Sequence, residues 1–253
     1  MSKKTLTVVL VIVIVVLLAV SLISCISGGS NDPASPSSKP GSNGKTPTPS
    51  TEPTPDPYAF RQAPGGYFDD ALFIGDSRTV GIQQCGGIDS ATYFCSVGMS
   101  VYGVRYEAVD ISGLGSVTLQ TLLQSRSFGK VYIMLGINDI GGDLPTLAGN
   151  YQKVIDLVRE YCPDAIIYVE ANIHVSANPA AVASVNNTNI NTFNELLKGL
   201  CDGKTIFYLD VNPVFDDANG NLGDEYSSDG IHFSAQYYKQ WADWIAQNAI
   251  VLK

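Results

Sequence analysis

The chain has 253 residues, 45% of them hydrophobic and 15% charged, with a formal net charge of −9. That acidity argues against nucleic acid as a partner, because recognition of a polyanion needs a basic footprint. The averages cover three unlike segments.

Residues 1–26 come first. Lys3 and Lys4 precede an uncharged apolar run from Thr5 to Ile23, rich in Val, Leu and Ile. A bilayer-spanning helix needs about 17–25 such residues, and the apolar core of a cleaved signal peptide only about 7–15. Lysines before the run and no matching cluster after it predict a cytoplasmic N-terminus and an exported remainder. Leu22-Ile23-Ser24-Cys25 also resembles the lipobox of bacterial lipoproteins, which implies lipidated Cys25 as the alternative anchor. Either route predicts a membrane-tethered protein on the outer face of a bacterial cell envelope.

Residues 27–57 are almost wholly Ser, Pro, Gly, Thr, Asn, Asp and Lys, ending in TPTPSTEPTPDP. With so little to bury, such a segment cannot offset the entropy of ordering and is expected to be a disordered linker. Its proline makes it a semi-extended spacer of at most ~3 Å per residue.

Residues 58–253 are globular in composition and of a length that suits one domain with one core. Apolar runs at Ala71 to Ile74, Thr92 to Val97, Lys130 to Leu135, Ala165 to Ala171 and Thr205 to Asp210 read as strands. Helical spacing appears at Leu144, Leu147, Tyr151, Val154, Ile155 and Val158, and again at Ile190, Phe193, Leu196, Leu197 and Leu200. A last helix opens near Ser234 with Tyr237, Trp241, Trp244 and Ile245 on one face. Strands that read as continuous apolar runs and alternate with helices predict a parallel sheet covered on both sides. The expected fold is a three-layer α/β/α sandwich.

Three strand ends carry polar residues, and in open α/β sheets ligands bind at that edge. Ala71 to Ile74 breaks at Gly75-Asp76-Ser77, which sets Ser77 where a helix begins, either as an acyl-transfer nucleophile or as a helix cap. Lys130 to Leu135 runs into Gly136-Ile137-Asn138-Asp139, where the Asn138 amide is an oxyanion donor or an ordinary turn residue. Gly98 follows the run Thr92 to Val97 and is placed to present a backbone N–H to the same edge.

A serine nucleophile needs a base with a pKa near the working pH, and the chain holds only two histidines, His174 and His232. His232 lies in Asp229-Gly230-Ile231-His232, close enough for Asp229 to fix the imidazole tautomer. The alternative is an Asp-Gly turn with a surface histidine. His174 follows the strand ending near Ala171 and reads as a loop residue, with a place lining the rim as the alternative.

Together IGDSRTVG, Gly98, GIND and DGIH resemble the SGNH (GDSL-type) hydrolase family, whose blocks contribute Ser, Gly, Asn and His. The resemblance spans the globular part from Leu72 to the final helix. It implies a flavodoxin-like sandwich with Ser77 as nucleophile, His232 as base and Asp229 as its orienter. It further implies an oxyanion hole of the Ser77 and Gly98 backbone N–H groups and the Asn138 amide. Two features depart from the pattern. Arg78 stands where the motif has Leu, a change that leaves the reacting groups intact, and CSVGMS lacks the Asn that often precedes the glycine. The absence of Gly-x-Ser-x-Gly argues against the α/β-hydrolase fold.

The leading expectation is an extracellular serine esterase that removes short acyl groups, acetyl above all, from carbohydrate or cell-wall polymer. A transferase using the same residues with a sugar hydroxyl as acceptor, and a non-catalytic wall-binding module, are the alternatives. A lipase fits poorly, since the spacer leads away from the bilayer and no amphipathic lid is apparent. No metal or organic cofactor is expected, there being no CxxC or Cys/His cluster. The pairing of Cys85, Cys95, Cys162 and Cys201 stays open. The polar loops Asn172 to Asn189 and Asn212 to Ser228 are expected to hydrogen-bond sugar hydroxyls, with Tyr226 stacking on a sugar face.

Overall fold

The computed structural model describes residues 56–180 and 183–252. The anchor, Cys25 and all but the end of the linker therefore lie outside the described residues. In chain order the elements are β1 (Phe60–Arg61), β2 (Ala71–Gly75), α1 (Ser77–Cys85), β3 (Thr92–Cys95), β4 (Ala108–Ile111) and β5 (Gly115–Thr118). There follow α2 (Leu119–Ser125), β6 (Lys130–Met134), α3 (Leu144–Tyr161), β7 (Ile166–Glu170), α4 (Asn187–Lys198) and β8 (Ile206–Leu209). A short α5 (Asn212–Phe215), a 3₁₀ turn at Asp224–Tyr226, α6 (Ala235–Gln247) and β9 (Ala249–Ile250) complete the chain.

The centre is a five-stranded sheet in the order β3-β2-β6-β7-β8, with every neighbouring pair parallel. All five residues of β2 are buried, because the sheet is covered on both faces. Leu72 and Ile74 point to one side, with Ile133, Val169 and the helix residues Leu147, Tyr151 and Phe193. Phe73 points to the other, with Tyr132, Tyr168 and the helix residues Ile82, Trp241 and Ile245. The three rings from paired registers stack, with centroids 4.5 Å apart for Phe73–Tyr132 and 4.4 Å for Tyr132–Tyr168. Each such side chain, fully removed from water, contributes roughly 1.5–3 kcal/mol. The α/β/α sandwich expected from the strand–helix alternation is the observed fold.

The small elements were not legible as apolar runs. The antiparallel hairpin β4–β5 is mostly exposed, and its turn depends on Gly113 and Gly115, both at positive φ. β1 pairs with β9 near the two ends of the domain, in a separate ribbon that packs on the main sheet, with Ile250 N donating to the Tyr168 hydroxyl at 2.7 Å.

The order of the sheet positions the strand ends that carry Ser77 and Asn138. From β2 the chain moves outward to β3 and then crosses to β6 on the opposite side of β2. Loops leaving β2 and β6 therefore part in opposite directions, which opens a crevice at the C-terminal edge of the sheet.

Candidate active site

Ser77 is the first residue of α1, directly beyond β2. Gly75 has no positive φ; glycine is needed there for close approach. A Cβ would fall 1.8 Å from Thr79 Oγ1 and 2.9 Å from the Met134 carbonyl oxygen. The helix is capped by Asp76, whose Oδ1 accepts the Arg78 N–H at 3.0 Å. The capping role open to Ser77 is thus filled by its neighbour. Its hydroxyl instead lies 2.8 Å from His232 Nε2.

His232 Nδ1 stands 2.7 Å from Asp229 Oδ2. The Asp-Gly bend makes this possible over three residues, with Gly230 at φ +75° and packed so tightly that a Cβ would meet Ser176 Oγ at 2.2 Å. Asp229 Oδ1 accepts three further bonds: Ser227 Oγ at 3.0 Å, Ile231 N at 2.9 Å and His232 N at 2.8 Å. Burial alone would raise the Asp229 pKa. The bonds and charge of His232, with the backbone N–H groups, overcome it and hold the carboxyl well below the usual range. A carboxylate so anchored keeps a proton on Nδ1, and a neutral imidazole in that tautomer presents its Nε2 lone pair to the Ser77 hydroxyl.

Asn138 follows β6 across the crevice from Ser77. Its turn is closed by Asp139 N donating to the Gly136 carbonyl at 2.8 Å, and a Cβ on Gly136 would meet Phe193 at 2.3 Å. One Asn138 amide proton goes to the Met99 carbonyl at 2.9 Å, which leaves the second for a ligand. Val101 N donates in turn to Asp139 Oδ2 at 2.8 Å. The loop after β3 and the loop after β6 are therefore stapled to each other. Gly98 lies in the first of them, exposed and at φ +81°, a conformation that favours glycine. Ser96 N donates to the Gly75 carbonyl at 3.3 Å, which brings this loop beside the nucleophile turn.

His174 is not at the rim. It is 9% exposed, with Nδ1 2.9 Å from Asp216 Oδ1 and Nε2 2.8 Å from Asn191 Oδ1. The polar loops do converge, joined by Asn187 Nδ2 donating to Asn221 Oδ1 at 2.9 Å. They line a cavity of about 500 Å³ that includes Ser176 and Asn178 but none of Ser77, Asn138 and His232, and Ser176 N donates to the Gly230 carbonyl at 2.9 Å. Several amides expected to face a sugar are engaged in holding the loop itself. Asn187 bonds both N–H and C=O of Val175, and Asn186 caps α4. Tyr226 is held edge-on by Phe215 and Tyr237 at 5.2 and 4.9 Å, so it is packing and not a stacking platform. Cys95, Cys162 and Cys201 are free thiols. Among the described residues no cluster of His, Cys, Asp and Glu is arranged to hold a metal ion.

The sequence left Ser227 unassigned, and it offered Arg78 as a neutral departure and Asn172 as a sugar-facing loop residue, whereas both are buried. Ser227 stands next to the DGIH block, and its small polar side chain was the only cue.

A Ser–His–Asp relay at the C-terminal edge of a parallel α/β/α sheet defines the class of protein to which this chain belongs. The sequence profile of the GDSL-like lipase/acylhydrolase family matches residues 73–240, and the chain is a member of that family. Its hydrolases are esterases and acylhydrolases. No sequence among curated proteins matches the chain. Among solved structures, a GDSL-like lipase from Bacteroides thetaiotaomicron superposes with a TM-score of 0.54 at 14% identity, over 70% of this chain and 86% of that one. A family two carbohydrate esterase from Clostridium thermocellum, solved with cellohexaose, gives 0.51 at 15% identity over 70% and 62%. Identities this low speak to the fold alone.

Proposed function

We propose that this chain is a serine esterase that removes short acyl groups, acetyl above all, from carbohydrate outside the cell membrane. The observation that carries the reading is the unbroken hydrogen-bond relay from Ser77 Oγ through His232 to Asp229, at 2.8 and 2.7 Å. Ser77 Oγ attacks the ester carbonyl as His232 Nε2 takes its proton. The Ser77 and Gly98 N–H groups and the second Asn138 amide proton bind the oxyanion. As the tetrahedral centre collapses, His232 returns the proton to the departing sugar oxygen and leaves an acyl-Ser77 ester. Water, deprotonated by His232, then attacks that ester, the acid departs and the proton returns to Ser77. Asp229 stays ionised and steadies the imidazolium.

Support for carbohydrate comes from Ser176, Asn178 and Thr188 in the cavity beside Gly230, from the likeness to a carbohydrate esterase, and from the lysine-flanked apolar run and Pro-rich spacer at the N-terminus. That leader supports a domain held among wall polymers or imported polysaccharide, tethered through the apolar run or through Cys25. The test has two arms. A fluorophosphonate should label Ser77, located by peptide mass spectrometry. In addition, kcat/KM on acetylated xylan or O-acetylated peptidoglycan fragments should far exceed that on a long-chain glyceride. Preference for the glyceride would overturn the substrate, and label elsewhere the mechanism. Acetyl recovered on an added sugar acceptor instead of as acetate would make the enzyme a transferase.

A further inference from the structure

The residue after the nucleophile is an arginine with nowhere to go but inward. Arg78 is 1% exposed and lies beneath the Ser77 turn, with Asp76 and Asn172 fully buried beside it. Burying a guanidinium is costly unless its donors are met. Here they are met by a chosen set of groups. Nη2 donates to Asn172 Oδ1 at 2.9 Å, Nη1 to the Ile173 carbonyl at 3.2 Å, and Nε faces Asp76 Oδ1 at 3.5 Å.

Asn172 is itself a junction. Its Nδ2 donates to the Leu135 carbonyl at 3.0 Å, the residue just before Gly136-Ile137-Asn138. Its backbone N–H is received by Asn194 Oδ1 at 2.8 Å, and its carbonyl accepts Asn194 Nδ2 at 2.9 Å and Asn212 Nδ2 at 3.2 Å. Asn172 therefore cannot drift without disturbing α4 and α5. The path Asp76–Arg78–Asn172–Leu135 runs under the crevice from the nucleophile turn to the start of the Asn138 loop. Those two loops diverge at the switch point and share no direct side-chain bond. The β2–β6 pairing ends at Gly75 and Met134 and fixes the two strand ends, and the relay beneath ties together the loops that leave them.

We propose that Arg78 is a positioning residue, which through Asn172 holds Ser77 and Asn138 at the separation needed to flank one tetrahedral carbon. Charge alone does not do this. The planar fork reaches Asn172 Oδ1 and the Ile173 carbonyl at once, and a lysine has no such fork. The inference rests on the nucleophile and oxyanion roles proposed above for Ser77 and Asn138.

The test uses Arg78→Lys, which keeps the buried cation, and Arg78→Met, which fills the space without it. Misplacing reacting groups by an ångström costs up to about 100-fold, so Arg78→Lys should lower kcat by about 10- to 100-fold. KM should stay within about twofold, while the melting temperature should fall by only a few degrees, the cost of one buried acceptor left without its donor. In a double-mutant cycle Arg78→Lys should cost much less in an Asn138→Ala background than alone, because coupled groups are non-additive. A wild-type kcat in Arg78→Lys would overturn the inference. So would a loss that adds fully to that of Asn138→Ala, or one that tracks melting temperature across both variants. Ser77→Ala is assayed alongside: activity retained there sinks the nucleophile itself, whereas an inactive Ser77→Ala beside a normal Arg78→Lys sinks only the positioning role.

Discussion

Two histidine–carboxylate pairs lie in this molecule, and their first contacts nearly coincide. His232 Nδ1 is 2.7 Å from Asp229 and His174 Nδ1 is 2.9 Å from Asp216. The other ring nitrogen makes the difference. Nε2 of His232 faces the Ser77 hydroxyl, a group that has a proton to give, while Nε2 of His174 faces the Asn191 amide oxygen, which has none. The His174 backbone N–H is taken as well, by Asn212 Oδ1 at 2.7 Å. One pair is an open proton path and the other a closed staple between α4 and the loop after α5. A carboxylate beside an imidazole thus says little about chemistry until the third partner is known.

The strongest way to break this comparison is to remove the open path. Ser77→Ala and His232→Ala should each lower turnover of p-nitrophenyl acetate by orders of magnitude, with the double mutant scarcely worse than either. Asp229→Asn should cost less than loss of the nucleophile. Near-normal hydrolysis by Ser77→Ala would end the proposed mechanism.

Next in size is the oxyanion side. Asn138→Ala should lose about 10²–10³ in kcat with KM little changed, the usual cost of one oxyanion donor. A loss confined to KM would make Asn138 a binding group only.

The closed pair should respond in the opposite currency. His174→Ala leaves Asp216 and Asn191 without their shared partner, which should cost about 1–3 kcal/mol of stability, or a few degrees in a melt at ~2–4 °C per kcal/mol for a domain of this size. Its kcat should stay within a few-fold of wild type. If His174→Ala is inactive and His232→Ala is not, the base has been assigned to the wrong pair.

An effect on the pH slope of stability, and not on turnover, concerns Glu170, 4% exposed at the end of β7. Burial pushes its pKa from 4.5 up to about 8, with the Arg78 charge opposing and Asp76 adding to the rise. Below pH 4.5 the carboxyl is protonated folded or unfolded. Between there and about 8 only the unfolded chain ionises, so native stability should fall as pH rises through that window. Glu170→Gln should lack that slope. Melts of both proteins from pH 4 to 8.5 check it, and parallel curves would contradict the raised pKa.

Much was legible before any coordinates. The five main strands announce themselves as apolar runs because a sheet covered on both faces buries every residue of a strand such as Ala71–Gly75. Helices α3, α4 and α6 announce themselves by their spacing, since each buries a stripe. Ser77, Asn138 and His232 were legible because each follows or precedes such a run with a short distinctive block. The hairpin β4–β5 was not, being mostly exposed and without an apolar signature.

The sequence by itself determined which elements form and which residue types stand at their ends, because burial periodicity and turn chemistry act over a few residues. Only the tertiary structure decided which of those ends meet. The crossing from β3 to β6 set Asn138 opposite Ser77, and the loop from Ser227 to His232 returned to close the relay from 155 positions away. It also separated His174 from His232, and it turned Arg78 inward onto Asn172. The polar loops Asn172 to Asn189 and Asn212 to Ser228 were read as open sugar-binding surface, yet Asn187 and Asn186 are engaged by their own backbone and Tyr226 by its aromatic neighbours. A side-chain amide pairs with whichever donor or acceptor the fold brings within 3 Å, and that choice is made by the packing of distant segments, on which local sequence is silent.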